Sequence, residues 1–121
     1  MTLSRAIPLH VHGALEVIAA PLLLVAPFVL GFGFVAGAIS IALGAALLGL
    51  ALSIYGDEER GSVPLNAHIG LDYVIASVTI ALGIAVGIAT ANAVAAAFMV
   101  GFGVAHMALI ASTRFSRPVG A

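Results

Sequence analysis

The sequence predicts an all-α fold, a four-helix transmembrane bundle made of two tandem helical hairpins in the same orientation. The first observation is composition: 63% of the 121 residues are hydrophobic and only 7% are charged, whereas about 25% of a soluble domain is charged. The second is an internal repeat, in which the pattern Pro-Leu-x-x-His-x-x-Leu-acid at Pro8–Glu16 returns 56 positions later at Pro64–Asp72. Long apolar runs follow both copies and predict membrane-spanning helices. We expect a single membrane domain (1–121), with repeat 1 at about 8–55 and repeat 2 at about 64–113.

Helix 1 is predicted from about Leu9 to Leu30. Pro8 suits the first turn of a helix, where its missing N–H costs nothing. About 22 residues at 1.5 Å each span about 33 Å, which is enough to cross a hydrocarbon core of about 30 Å. Pro21 and Pro27 lie inside this run and are expected to bend it, because each removes a hydrogen bond from the helix. The uncharged segment Gly31–Phe34 predicts a tight turn.

The remaining elements follow in the same alternation. Helix 2 is predicted from about Val35 to Tyr55, and the strongly polar segment at about 56–63 predicts a solvated loop between the halves. Helix 3 is predicted from about Leu65 to Ala89, with a short turn at Thr90–Asn92. Helix 4 is predicted from about Ala93 to Thr113.

Small residues recur every four positions along the helices. Such rows let two helix backbones approach closely in lipid. The predicted packing residues are Gly83, Gly87, Ala97, Gly101 and Ala105. Four short helices with several such rows have more packing surface than one bundle uses, so we expect association with other membrane subunits or with a second copy of the chain.

The arginines predict the orientation in the bilayer. All four of them fall on one side of a four-helix path, and the turns on the other side carry no charge; they are Arg5, Arg60, Arg114 and Arg117. The positive-inside rule then places both termini and the 56–63 loop in the cytoplasm. A net charge of −1 offers no footprint for nucleic acid. The absence of cysteine excludes disulfides, thiol redox chemistry and cysteine-ligated metals.

A segment of helix 1, Leu24–Phe32, resembles the SPW-repeat family of membrane proteins, which has a two-helix repeat with Ser-Pro-Trp in its first helix. Ala26-Pro27-Phe28 stands where the family has Ser-Pro-Trp, and Leu82-Gly83-Ile84 occupies the equivalent place in the second half. The resemblance implies a small multi-pass protein of the prokaryotic inner membrane. It implies no activity.

Two pairs of ionisable residues stand out within the apolar runs. His12 and Glu16 are four positions apart, as are His68 and Asp72, and this spacing puts both members of a pair on one helix face. The repeat places the pairs at the same depth, just inside the cytoplasmic interface, where helices 1 and 3 can present them to each other. His106 of helix 4 is expected at a similar depth. These five residues form the candidate site.

Three interpretations of the site remain open. Imidazole and carboxylate groups on facing helices bind zinc, iron or manganese, and haem is a related possibility. A carboxylate beside a histidine can also conduct protons or ions. Finally, each pair can be a structural anchor in which His hydrogen-bonds the acid near a helix N-terminus, shallow enough for water to reach.

The predicted function is that of a membrane protein without catalytic activity that acts by association, as an accessory subunit or a homo-oligomer. No base is arranged in the sequence to make a nucleophile of Ser53, Ser77, Thr79 or Ser112. The alternative is a small transporter, channel, or metal- or haem-binding membrane protein that uses the repeated His–acid pairs. The cofactor is unknown, and the lipid bilayer is the one partner that composition requires.

Overall fold

The computed structural model describes residues 5–55 and 63–115. Its helices are α1 Leu9–Leu30, α2 Gly33–Leu52, α3 Leu65–Ala89 and α4 Ala93–Ala111. Each is long and apolar enough to cross a membrane. The predicted all-α four-helix transmembrane bundle is therefore confirmed. The loop expected at about 56–63 lies outside the described residues, apart from Val63.

The ends of α2 and α4 differ from the sequence prediction. The helix α2 stops at Leu52 and continues as one 3-10 turn, Ser53–Tyr55. The helix α4 stops at Ala111 instead of Thr113, because the chain then forms a short strand. This strand, β2 (Thr113–Arg114), pairs in parallel with β1 (Ile7–Pro8). The pair holds the start of α1 beside the end of α4, and local helical periodicity contains no signal for it.

The two hairpins present corresponding faces to the interior. The contact between α3 and α4 is the most extensive, followed by α1 with α2 and then α2 with α3; the contact of α1 with α4 is smaller. Buried positions in α1 and α3 correspond at a spacing of 56: Glu16 with Asp72, Ala20 with Ala76, Leu23 with Thr79. Those in α2 and α4 correspond at a spacing of 59: Ser40 with Met99, Gly44 with Gly103, Leu47 with His106. The hairpins therefore bury equivalent faces, with different side chains at several positions.

The predicted small-residue positions fall into two groups. Gly83 and Gly87 lie against α4, where a Cβ added to Gly83 would be 2.7 Å from the Met99 Cβ. They therefore serve helix packing within the chain. The other three, Ala97, Gly101 and Ala105, are exposed on the outer face of α4, and a Cβ at Gly101 would meet nothing within 4 Å.

Ser40 compensates for a proline in the neighbouring helix. Pro27 has no N–H, so the carbonyl of Leu23 four residues earlier loses its helical donor. The buried Ser40 hydroxyl of α2 donates to that carbonyl at 2.7 Å. Since lipid supplies no donor to a free carbonyl, this bond fastens α2 to α1 where Pro27 removes one of the backbone hydrogen bonds of α1.

Asn92 joins the two hairpins at the end of the bundle that carries the short turns. Its Oδ1 accepts a hydrogen bond from the Ala95 N–H and caps α4. Its Nδ2 donates to the carbonyl of Gly31 at 3.1 Å, and lies 3.3 Å from that of Phe32. One side chain thus caps a helix and ties the two turns together.

Candidate metal centre

The structure brings all five predicted site residues together, at the end of the bundle where α1 and α3 begin. His12 and Glu16 come from α1, His68 and Asp72 from α3, and His106 from α4. All are buried, and Glu16 and Asp72 expose only 1% and 0% of their surface. The expected access of water to both acids is therefore wrong, because the facing helices cover them.

Four of the ligand atoms form a compact group. His12 Nε2 lies 3.0 Å from Glu16 Oε1 and 3.0 Å from Asp72 Oδ2. His68 Nε2 lies 3.4 Å from Glu16 Oε1 and 3.1 Å from Asp72 Oδ2. One atom from each of the four residues falls within 4.8 Å of all the others. His12 is therefore as close to the acid of the other hairpin as to its own, and His68 is only slightly farther from it, at 3.4 Å against 3.1 Å. An anchor within one helix does not require these contacts.

His106 approaches the acids from another side. Its Nε2 is 2.7 Å from Glu16 Oε2 and 3.8 Å from Asp72 Oδ1. These are the carboxylate oxygens that His12 and His68 do not approach most closely. Both acids thus have one oxygen toward the pair of histidines and the other toward His106.

Two hydroxyl groups orient His12 and His68, the paired histidines, through the ring nitrogen that faces away from the carboxylates. Thr113 Oγ1 is 2.8 Å from His12 Nδ1 and donates its own proton to the Leu109 carbonyl at 2.6 Å. The Thr113 oxygen is then left to accept from the ring, so Nδ1 carries a proton and Nε2 faces the carboxylates. His68 has a looser counterpart, because its Nδ1 is 3.5 Å from Ser53 Oγ, whose proton goes to the Leu50 carbonyl.

Sequence reasoning missed Thr113 and Ser53. Both stand just after the last turn of a helix, 60 positions apart, at the level of the histidines of α1 and α3. The equivalent placement of two small hydroxyl residues was the available signal. Phe115 closes the outer side of His12, with ring centroids 5.0 Å apart in an edge-to-face arrangement.

The electrostatics of the group call for a positive charge at its centre. A neutral imidazole with its proton on Nδ1 points a lone pair at carboxylate oxygens about 3 Å away, and acceptors at that distance repel each other. Three of the inward atoms, Glu16 Oε1, His68 Nε2 and Asp72 Oδ1, find no hydrogen-bond partner in the described part of the chain. Protons on the rings or a metal ion between the atoms removes the repulsion.

The donor set and its spacing fit a divalent transition metal. Ligands at 2.0–2.1 Å around a tetrahedral ion lie about 3.3 Å from one another, and the four His–acid distances are 3.0–3.4 Å. Two carboxylates neutralise the charge of one divalent ion. Nitrogen and oxygen donors suit zinc, iron and manganese. Haem fits less well, because acid oxygens already lie between His12 and His68, where a porphyrin would have to enter.

A groove leads from the outer surface of the bundle to Glu16. It runs between α1 and α4, whose mutual contact is smaller than that of α1 with α2, α2 with α3 or α3 with α4, and has a volume of about 310 Å³. Glu16 and His106 line its inner part, and apolar side chains such as Ile18 and Leu22 form its exposed rim. The site is thus approached from the lipid-facing side of the bundle.

Neither a protein-family model, nor a curated protein, nor a solved structure matches this chain. The resemblance to SPW-repeat proteins therefore stays a prediction that rests on the quoted residues alone.

Proposed function

We propose that this protein is an integral membrane protein that binds a divalent transition-metal ion through His12, Glu16, His68 and Asp72. One observation carries the proposal: two histidines, each backed by a hydroxyl, aim Nε2 at two buried carboxylates from facing helices. Metal-bound histidines commonly donate their second ring N–H to such a partner, which fixes the tautomer and the direction of the ring. An anchor within one helix needs neither the convergence of the two hairpins nor this orientation.

The competing occupant of the same centre is a pair of protons. Two imidazolium rings would also neutralise two carboxylates, and the site would then be an anchor or part of a proton path. The four His–acid distances favour the metal, because they match the separation of ligands around one tetrahedral ion. Two unsatisfied inward atoms, Glu16 Oε1 and His68 Nε2, favour it as well, because one ion with four ligands engages both of them.

Elemental analysis of protein extracted mildly and without a histidine tag tests the proposal. We expect zinc, iron or manganese in near-stoichiometric amount in the wild type. Glu16→Gln combined with Asp72→Asn should lose it, because the neutral amides keep the shape of the side chains but not the charge. His10→Gln is the matched control, since this exposed histidine on α1 lies outside the four-residue group.

A metal-free wild type that also takes up none of these ions after dialysis would contradict the metal site and favour the proton pair. A double variant that retained the metal would contradict the assignment of the ligands. Comparing the elution of each protein on size exclusion in detergent separates lost binding from lost folding.

Association with another membrane subunit or with a second copy is the second candidate function. The exposed row Ala97, Gly101 and Ala105 supports it, because small residues allow another helix to approach α4 closely. Gly101→Leu should disrupt an assembly seen on native gels, whereas Gly70→Leu, another glycine with nothing within 4 Å of an added Cβ, should not. An assembly that survives Gly101→Leu would remove this support.

We further propose an orientation with both termini in the cytoplasm of a prokaryotic cell, as the arginines predict. Arg5 and Arg114 support this, because β1 and β2 bring the chain beside them to one end of the bundle. Labelling of a cysteine placed at Ala6 by a membrane-impermeant reagent in intact cells would contradict this orientation.

We also propose that the two hairpins arose by duplication, which the equivalent buried faces support.

A further inference from the structure

We infer that the centre holds two metal ions bridged by both carboxylates, the second bound by His106 together with Glu16 Oε2 and Asp72 Oδ1. This inference rests on the proposed metal site and extends it. The first ion is the one surrounded by His12, His68, Glu16 Oε1 and Asp72 Oδ2. The second position has a different histidine and the remaining oxygen of each acid.

The division of the carboxylate oxygens is the main argument. Glu16 offers Oε1 to His12 and His68 at 3.0 and 3.4 Å, and Oε2 to His106 at 2.7 Å. Asp72 divides in the same way, with Oδ2 at 3.0 and 3.1 Å from the paired histidines and Oδ1 at 3.8 Å from His106. A carboxylate that presents one oxygen to each of two ligand groups is placed to bridge two ions, which in two-metal sites lie about 3.5–4 Å apart.

An unsatisfied atom marks the second position independently. Asp72 Oδ1 is buried, points toward His106, and has no hydrogen-bond partner within the ranges 5–55 and 63–115. His106 alone cannot satisfy it at 3.8 Å, because that exceeds hydrogen-bond length. An ion between His106 Nε2, Glu16 Oε2 and Asp72 Oδ1 would engage all three atoms.

Of the two hairpins, only the second supplies a histidine at the position of the second ion. The residue of α2 that corresponds to His106 is Leu47, which has no donor atom and is buried in the apolar interior. His106 therefore breaks the equivalence of the hairpins, and it does so where the α1–α4 groove reaches Glu16. Three protein ligands leave the second ion with an open coordination position.

The charges of the two ions and the two carboxylates indicate which kind of ligand fills the open position of the second ion. Two divalent ions exceed the two carboxylates by two positive charges, which are costly inside a bilayer. An anionic oxygen donor reduces this excess, and the simplest is hydroxide, formed when a metal-bound water releases a proton to solvent. The second ion is thus predicted to carry a small exchangeable oxygen ligand, with the groove beside it.

Metal stoichiometry tests the inference. Apo protein would be titrated with Mn²⁺ and, separately, Zn²⁺, and the bound ions per chain measured by elemental analysis after removal of excess. We expect two ions in the wild type and in the His10→Gln control, and one in His106→Gln, whose amide still donates to Glu16. The Mn²⁺ electron paramagnetic resonance spectrum should change from that of an exchange-coupled pair to that of an isolated ion.

The possible outcomes separate the two proposals. One ion in both the wild type and His106→Gln would overturn the two-metal inference and leave the proposed function standing. Two ions in both would overturn the role of His106. No ion in the wild type would overturn the proposed function itself. A second variant, His106→Asn, gives the same reading if the Gln variant does not fold.

Discussion

The hydroxyl groups of Thr113 and Ser53 orient the paired histidines, although neither residue is a candidate ligand. Each donates its proton to a helix carbonyl and is left to accept from an imidazole Nδ1. The Thr113 contact is the shorter of the two, at 2.8 Å against 3.5 Å. Loss of such supporting partners typically weakens metal binding about 10–100-fold.

Thr113→Val tests this at the scale of one residue. Valine keeps the shape and removes the acceptor, so His12 can adopt either tautomer and the affinity for Zn²⁺ should fall about 10–100-fold. Competition with a chromophoric chelator measures the change. Thr113→Ser should retain wild-type affinity. Thr90→Val is the control, because Thr90 makes the same bond to the carbonyl four residues earlier at the far end of the bundle.

An unchanged affinity in Thr113→Val would show that His12 is oriented without the hydroxyl. A comparable loss in Thr90→Val would instead point to a general effect of removing a hydroxyl from the protein.

Among the helices, α1 depends on α2 for a hydrogen bond that a proline in its own sequence removes. Pro27 leaves the Leu23 carbonyl without a helical donor, and Ser40 supplies one. Side-chain hydrogen bonds inside membrane bundles contribute about 0.6 kcal/mol on average and about 1.7 kcal/mol at most. The contribution of the bond between Ser40 and the Leu23 carbonyl can be measured separately by changing Ser40 with and without Pro27.

Ser40→Ala should lower the free energy of unfolding by about 1 kcal/mol, measured by denaturation in mixed micelles. In a Pro27→Ala background the same change should cost close to nothing, since residue 27 then donates to Leu23 itself. Ser77→Ala, on the exposed face of α3, serves as the control. An equal cost of Ser40→Ala in both backgrounds would contradict the compensation.

The pairing of α3 with α4 leads to a second prediction for the helices. A Cβ at Gly83 would lie 2.7 Å from the Met99 Cβ and 3.3 Å from the Val100 nitrogen, whereas one at Gly101 meets nothing. Gly83→Ala should therefore destabilise the fold by about 1–3 kcal/mol through overpacking. Gly101→Ala should be neutral or stabilising by up to about 1 kcal/mol, because alanine favours helix. Equal stabilities for the two variants would contradict the packing described for α3 and α4.

In the whole molecule, the centre joins three helices from both hairpins. An ion held by His12, Glu16, His68 and Asp72 would crosslink α1 and α3 and bind the folded state alone, and one at His106 would add α4. At a free concentration 100 times the Kd it should add about 2.7 kcal/mol to the stability. Asn92 holds the far end of the bundle, and the Ser40 hydrogen bond, the β1–β2 pair and apolar contacts hold the rest.

Addition of Zn²⁺ to metal-free protein should therefore raise the melting temperature of the wild type and of His10→Gln. The combined Glu16→Gln and Asp72→Asn variant should show no such increase. Thermal unfolding in detergent, followed by circular dichroism, measures the effect. A similar increase in the double variant would mean that Zn²⁺ stabilises the protein through another site.

The sequence by itself determined the four spans, the bounds of α1 and α3, and the candidate constellation of five residues. Composition and apolar run length decide the spans, because a bilayer excludes charge from every helix in the same way. The four-residue spacing decides that His12 lies beside Glu16 and that His68 lies beside Asp72, since that is a local property of a helix.

Only the tertiary structure decided that the two pairs converge and that they are buried. Convergence depends on how far each helix is rotated about its axis, and that is set by side-chain packing such as that of Gly83 on Met99. The role of Thr113 depends on the strand pair β1–β2, which joins segments more than 100 residues apart. The division of the acid oxygens between His106 and the paired histidines follows from the same packing, because contacts between distant segments leave no periodic trace in a single sequence.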